Sequence, residues 1–219
     1  MEPTTVAVGR RYTQARGRAR REALLRTARD LLQERDIEDI TLPMVSEAAD
    51  IPSSSTYHFF PDMRELYKEL ARATADEMLA NEITIDANAS WQSIISAFLL
   101  SSASFFNAHR AARQLMLGPR TTPDIRQAGC HDDYRFGAQL HAVIVERFHL
   151  PELEEPVALF FRAIVIADAF FALSVLEHDI VTAHMILEAE RATVAYLCNY
   201  LPPVLQRRKS GDFEAASIA

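Results

Sequence analysis

Ser53, Ser54, Ser55, Thr56, Tyr57 and His58 place six hydrogen-bonding side chains in a row. Small hydroxyls can approach phosphate oxygens or base edges, and the phenol and imidazole that follow extend the same capacity. The chemistry this run can do is recognition rather than bond-making. A second concentration lies upstream, where residues 10 to 29 hold eight arginines against the single acid Glu22. Arg16, Arg18 and Arg20, with Arg10, Arg11 and Arg21, precede or open a first helix. An arm of that kind can neutralise phosphates or enter a narrow minor groove. The same composition also suits a solvated leader; beside the hydroxyl run, contact with DNA is the favoured reading.

The segregation matters because the chain as a whole is acidic, with 23 Lys+Arg against 30 Asp+Glu and a formal net charge of −7. Catalytic signatures do not stand out: there is no GxSxG, HExxH, Walker or dinucleotide glycine pattern, and neither cysteine has an arranged base. No enzyme and no cofactor are expected. Cys130 and Cys198 lack a CxxC and a third partner, so they cannot assemble a cysteine zinc site. His131, Asp132 and Asp133 are adjacent, and neighbours on a helix point in different directions, so no metal site is expected there.

At 219 residues, 49% apolar and 24% charged, the chain suits one or two domains with a sizeable core. It opens MEPTT, without the cationic and then apolar pattern of an export signal, and a cytoplasmic protein is expected. The longest apolar stretch, Ala163 to Leu176, is 14 residues and contains Asp168, so no membrane span is expected.

These side chains must be held by helices. Leu24, Leu25, Ala28, Leu31 and Leu32 repeat at spacings of three and four, a stripe on a helix ending near Arg35. Thr41 is a candidate N-cap for a short helix ending near Asp50. Pro52 or Ser53 opens another to about Phe60, and Asp62 with Glu65 has capping-box spacing for a long helix to about Ile85. Further helices are predicted at Trp91 to Asn107, Arg110 to Leu117, Asp124 to Phe148, Pro156 to Leu176 and Thr182 to Tyr200. No strand pattern appears, so the fold class is all-α. The last two long helices are apolar almost all round and require cover on every side, which suggests a subunit interface.

Two short helices joined by a tight break behind a supporting helix are the requirement for a helix-turn-helix, whose second helix presents its first turn to the major groove. Ile51 would pin the pair, with Val45, Ala48 and Phe60 completing a small core and Ser53 to Thr56 forming the first exposed turn. The run TLPMVSEAADIPSSSTYHFFPDMREL resembles the DNA-binding signature of the tetracycline-repressor (TetR) family of bacterial transcriptional regulators. Thr41, Val45, Ala48, Ala49, Ile51, Tyr57, Phe60 and Leu66 stand at the family's characteristic positions. The resemblance implies that Thr41 and Tyr57 hold phosphates and that Ser53, Ser54, Ser55 and His58 lie in or beside the major groove. Asp50 and Ser54 stand where the family commonly has glycine. Met63 replaces a phosphate-binding lysine, with Arg64 one residue away as a substitute.

The resemblance further implies that the C-terminal helices form a dimer interface and a small-molecule pocket. Phe105, Phe106, Met116 and Phe136 are candidate apolar walls; His109, Gln114, His141 and Asp168 are polar groups on otherwise apolar helices. Asp168, flanked by IVIA and AFFAL, should be paired in the core or interface or should face a cavity. The expected organisation is a basic arm over 1–20, a helix-turn-helix DNA-binding domain over 21–66, a ligand-binding and dimerisation domain over 67–205, and a disordered tail over 206–219. The expected function is that of a homodimeric regulator, most simply a repressor, that binds a near-palindromic double-stranded DNA operator. A small hydrophobic or aromatic effector would release it. The alternative is a small-molecule binding or sequestering dimer with a weakened reader.

Overall fold

A computed structural model describes residues 5–130 and 134–208; the His131–Asp132–Asp133 run and residues 209–219 lie outside the described residues. Helix α1 spans Thr5–Glu34, α2 Leu42–Ala48, α3 Ser53–Phe59 and α4 Met63–Ala80. Then follow α5 Trp91–Ala108, α6 Arg110–Ala112 running into a π-helical stretch Arg113–Leu117, α7 Pro123–Cys130, α8 Tyr134–Arg147, α9 Pro156–His178 and α10 Ala183–Leu197. Among the described residues the only strand-like pairing is an isolated bridge between Phe148 and Arg207. The fold is all-α.

The stripe on α1 buries Leu24, Ala28 and Leu32, with Leu25 and Leu31 at its edge, because residues three and four apart share a helix face. Helix α4 begins where Asp62 accepts a hydrogen bond from the Glu65 N–H at 2.9 Å. It ends at Ala80, five residues before the expected Ile85, with Asn81 as an extended C-cap. It is the one continuous helix shared by the reader and the remainder of the fold, and α7 packs along it.

Several expectations are corrected. Helix α1 begins at Thr5, before the first helix was expected, so the arginines of the basic arm lie along it. Of the helix expected over Asp124 to Phe148, Pro123–Cys130 packs on α4 and Tyr134–Arg147 on α9, and the residues between lie outside the described ones. Gln206 to Arg208, which fall in the expected tail, are held by hydrogen bonds. His149 N–H donates to Gln206 O and Arg208 N–H to Arg147 O, both at 2.9 Å. Arg207 also donates to Ala87 O at 2.8 Å and lies over the Phe148 ring.

Helix α9 is the central element of the second half. Leu159, Phe160, Ala163, Ile164, Ala167, Phe171 and Val175 are buried against α8 and α10. Gly137 permits this approach: a Cβ there would sit 2.5 Å from Val157 O and 2.8 Å from Phe161, so α8 can lie on α9 only without a side chain at that point. At 23 residues, with a mean hydropathy of 2.1 over 18 of them, α9 is long and apolar enough to cross a membrane, which the 14-residue stretch did not anticipate. Its packing on two neighbours accounts for the hydrophobicity of one face. The other carries Val165, Leu173 and Leu176, 41–60% exposed, with Leu187 of α10 likewise exposed.

Candidate nucleic-acid interface and ligand cavity

The break between α2 and α3 is built from backbone hydrogen bonds. Ile51 N–H donates to Ser46 O at 3.0 Å and Asp50 N–H to Glu47 O at 3.1 Å, the paired pattern of a Schellman cap. That cap requires a left-handed residue, and Asp50 takes it with φ 51°. Val45 and Phe60 are buried and Ile51 packs against them from the edge. Ala48 departs from expectation, because it faces outward from α2 and is exposed.

Thr41 is the N-cap of α2 with extended backbone, but its side chain makes no capping bond, and it is exposed. Ser53, Ser54, Tyr57 and His58 are exposed on α3, with Tyr57 at 51%, while Ser55 is half-buried. Thr56 is corrected: it is fully buried, and its Oγ1 has no hydrogen-bond partner. A helix puts residue 56 three positions from 53 and on the inward side of 57, so the hydroxyl run cannot be outward throughout.

The cations are distributed differently from the hydroxyls. Arg16, Arg18 and Arg20 lie exposed along α1. Arg21 pairs with Glu69 and rests over the Phe60 ring. Arg64 is paired with Asp124 of α7, and Lys68 bonds Glu65 at 2.7 Å and reaches Asp124 at 3.3 Å. These partners hold the Asp124 carboxyl well below the ordinary carboxylate range, Arg64 contributing most. The residue offered in place of the phosphate-binding lysine is therefore engaged with the second half of the chain.

A second set of contacts joins the reader to the core. Gln114 Nε2 donates to Leu32 O and Arg35 O, both at 2.8 Å, and its Oε1 accepts from Ile37 N–H at 2.8 Å. Arg110 donates to Arg35 O at 2.7 Å and pairs with Asp36, as does Arg120 at 2.9 Å. Carbonyls at the end of α1, left without intrahelical partners, are thus satisfied from α6 and the π-helical stretch. Arg110 and Arg120 depress the Asp36 carboxyl by the same bonds.

A cavity of about 680 Å³ opens between that stretch, α7 and α9. Met116 and Leu117, then Pro123 and Arg126, face Phe161, Val165, Asp168 and Ala172. Of the candidate pocket residues, Met116 and Asp168 line this cavity. Phe105 and Phe136 border a separate crevice of about 10 Å³, too small for any ligand. Phe106 is buried edge-on to Phe171, and His141 is packed beside Phe160, where burial lowers its pKa. His109 is exposed and bonded to Phe105 O at 2.9 Å, and Gln114 serves the junction. Burial pushes the Asp168 carboxyl up to about 7, with Arg126 opposing.

Arg126, Phe161 and Asp124 escape a sequence reading because each matters only through residues 7 to 60 positions away. Among the described residues no group of three or more His, Cys, Asp or Glu could hold a metal ion.

Residues 24–70 match the profile of bacterial regulatory proteins of the tetR family. This segment is a tetR-family domain. The whole fold is similar to a TetR-family transcriptional regulator from Streptomyces coelicolor, at 20% identity with a TM-score of 0.63 over 83% of this chain and 99% of that one. A TetR transcriptional regulator from Rhodococcus sp. RHA1 gives 17%, 0.63, 83% and 97%, and the multidrug binding protein EbrR complexed with imidazole gives 17%, 0.56, 81% and 94%. No curated protein matches the sequence. The tetR-family domain and this fold are those of a DNA-binding transcriptional regulator.

Proposed function

We propose that this protein is a homodimeric, ligand-responsive repressor in which the cavity behind the π-helical stretch controls the spacing of two readers. One observation carries the reading: the walls of the cavity are the segments that hold the reader. Met116 and Leu117 follow Gln114, which is bonded to the end of α1, and Pro123 and Arg126 flank Asp124, which is bonded to α4. A ligand that fits only one arrangement of these walls shifts the population of reader positions by its differential affinity for the two forms.

In this reading residues 21–66 contact DNA. Thr41 and Tyr57 hold phosphates, Ser53, Ser54, Ser55 and His58 face the major groove, and Arg16, Arg18 and Arg20 add backbone contacts from α1. Residues 67–205 sense and dimerise, with the exposed Leu173 and Leu176 of α9 and Leu187 of α10 meeting a second copy in a four-helix bundle. The apolar walls suit a hydrophobic or aromatic effector.

The test is selection of genomic fragments by the purified protein at near-physiological salt, followed by footprinting. The expected result is one near-palindromic site protected as two half-sites, with affinity about tenfold weaker in a Thr41→Ala/Tyr57→Phe variant that keeps its fold. Unchanged affinity in that variant sinks the reader assignment. A second reading, a sequestering dimer with a weakened reader, draws on α3 having no Lys or Arg and on Arg64 and Lys68 being engaged by Asp124. It requires retained DNA with no shared sequence, lost as salt rises.

A further inference from the structure

Helix α9 turns Phe161, Val165, Asp168 and Ala172 to the cavity, spaced four, three and four apart along one stripe, with Arg162 and Ala169 beside it; Asp168 is the polar member within the stripe. Across from it stand Met116 and Leu117, which cannot hydrogen-bond a carboxylate, with Gln127 and with Thr121, whose hydroxyl donates to Gln114 O. The other charged side chains at the cavity are committed elsewhere. Arg162 donates to Glu155 at 2.9 Å, and Arg126 donates to Gly118 O at 2.9 Å; both are exposed at the rim. The charged side chains of the lining are Arg126, Arg162 and Asp168, and Arg162 is neutralised from outside the cavity by Glu155. Among the described residues none hydrogen-bonds or ion-pairs with Asp168, and Arg126 acts on it only through space. An ionised carboxylate is an acceptor only, and one held in apolar surroundings without a donor requires a donor from what binds beside it.

We propose that this cavity takes an aromatic or other apolar ligand bearing a cationic amine, with the Asp168 carboxylate pairing with the ammonium and Phe161 and Met116 covering the apolar body. Burial already holds the proton on Asp168 to near neutral pH, so a ligand cation relieves a cost that the unliganded protein carries. The inference rests on the reading of this cavity as the effector site and narrows that site's chemistry from hydrophobic to hydrophobic and basic.

The test is calorimetric titration of the full chain at pH 8 with three probes of one shape: 2-naphthylmethylammonium, 2-naphthylmethanol and 2-naphthoate. The expected order is the ammonium at least tenfold tighter than the alcohol, and the carboxylate weakest. Asp168→Asn, close to isosteric, removes the preference while leaving the alcohol within twofold. Arg126→Gln tightens the ammonium by a few-fold through loss of a competing cation. A carboxylate that binds tightest and is lost in Arg126→Gln overturns the proposal, as do three equal affinities or no binding at all; the wild-type charge series decides without any variant. Operator affinity at saturating ammonium is read separately. If it is unchanged while the Asp168-dependent preference holds, the effector reading fails and the cation site stands.

Discussion

The reader and the cavity use polar side chains in opposite ways. In the reader, the side chains available for recognition are outward and uncommitted: Thr41 makes no cap bond, and Ser53, Ser54, Tyr57 and His58 stand exposed on a seven-residue helix backed by Val45, Leu66 and Phe60. In and behind the cavity walls polar groups are committed to other segments: Gln114 to the end of α1, Asp124 to α4, Arg126 to Gly118, Thr121 to Gln114 O. The first arrangement makes a surface that can be copied between proteins as a short continuous segment. The second makes a mechanical connection, in which moving one wall disturbs bonds to the reader. Asp168, on the cavity wall and without a hydrogen-bond donor among the described residues, is the carboxyl on which the ligand proposal turns.

Truncation of the reader's core should break the comparison most strongly. Phe60→Ala removes a fully buried ring, and a loss of about 3–5 kcal/mol is expected in thermal or denaturant unfolding, with operator binding abolished. Retained DNA binding would mean that the reader does not depend on its own small core.

Gln114→Ala leaves Ile37 N–H and two carbonyls of α1 without their partner, and a cost of about 2–3 kcal/mol is expected. The sharper outcome is functional: operator affinity should become less responsive to ligand while ligand affinity itself changes little. Full response in this variant would remove the junction from the mechanism.

Asp168→Asn tests the cavity through pH. The folded-state value near 7 lies above the carboxyl's ordinary 3.8, so the folded state holds the proton more tightly than the unfolded chain does. Wild-type stability is therefore intact below about pH 4, declines as pH rises from 4 to 7, and levels off above. The variant should melt higher at pH 8 by an amount equivalent to about 1–2 kcal/mol, allowing for partial exposure, with the difference vanishing near pH 4. Equal pH profiles for the two proteins would show that the carboxyl is not desolvated.

The smallest effect is expected at the turn. Asp50→Gly relieves a left-handed residue, offset by the added freedom of the unfolded chain, for a net gain of about 0.5 kcal/mol. Removing the carboxylate from the DNA-facing side should also tighten operator binding, measured by titration at two salt concentrations. Weaker binding would mean that Asp50 itself contacts the operator.

The local half of the molecule was legible in residues 24 to 66. The α1 stripe, the Asp62 cap, the break at Asp50 and the exposed Tyr57 all follow from spacing and from the family signature. Errors there were of facing: Ala48 turned out and Thr56 turned in, because on a seven-residue helix one position decides the side. In the second half the helices were legible but their ends were not. Phe106, read as a pocket group, is in the core, and Gln114 both bonds the end of α1 and lines a second cavity of about 550 Å³ beside Asp36 and Arg110, since a polar or aromatic residue on an apolar helix has the same sequence signature in each place.

The sequence by itself determined the helices, the turn and the segregation of arginine onto α1, because hydrophobic period, capping and backbone preference act over a few residues. Only the tertiary structure decided that Arg64 answers to Asp124, that Gln114 caps α1, and that Phe161, Asp168 and Met116 share one cavity. Those relations depend on which faces of distant helices are pressed together, and burial of the whole core sets that, not the spacing of any segment.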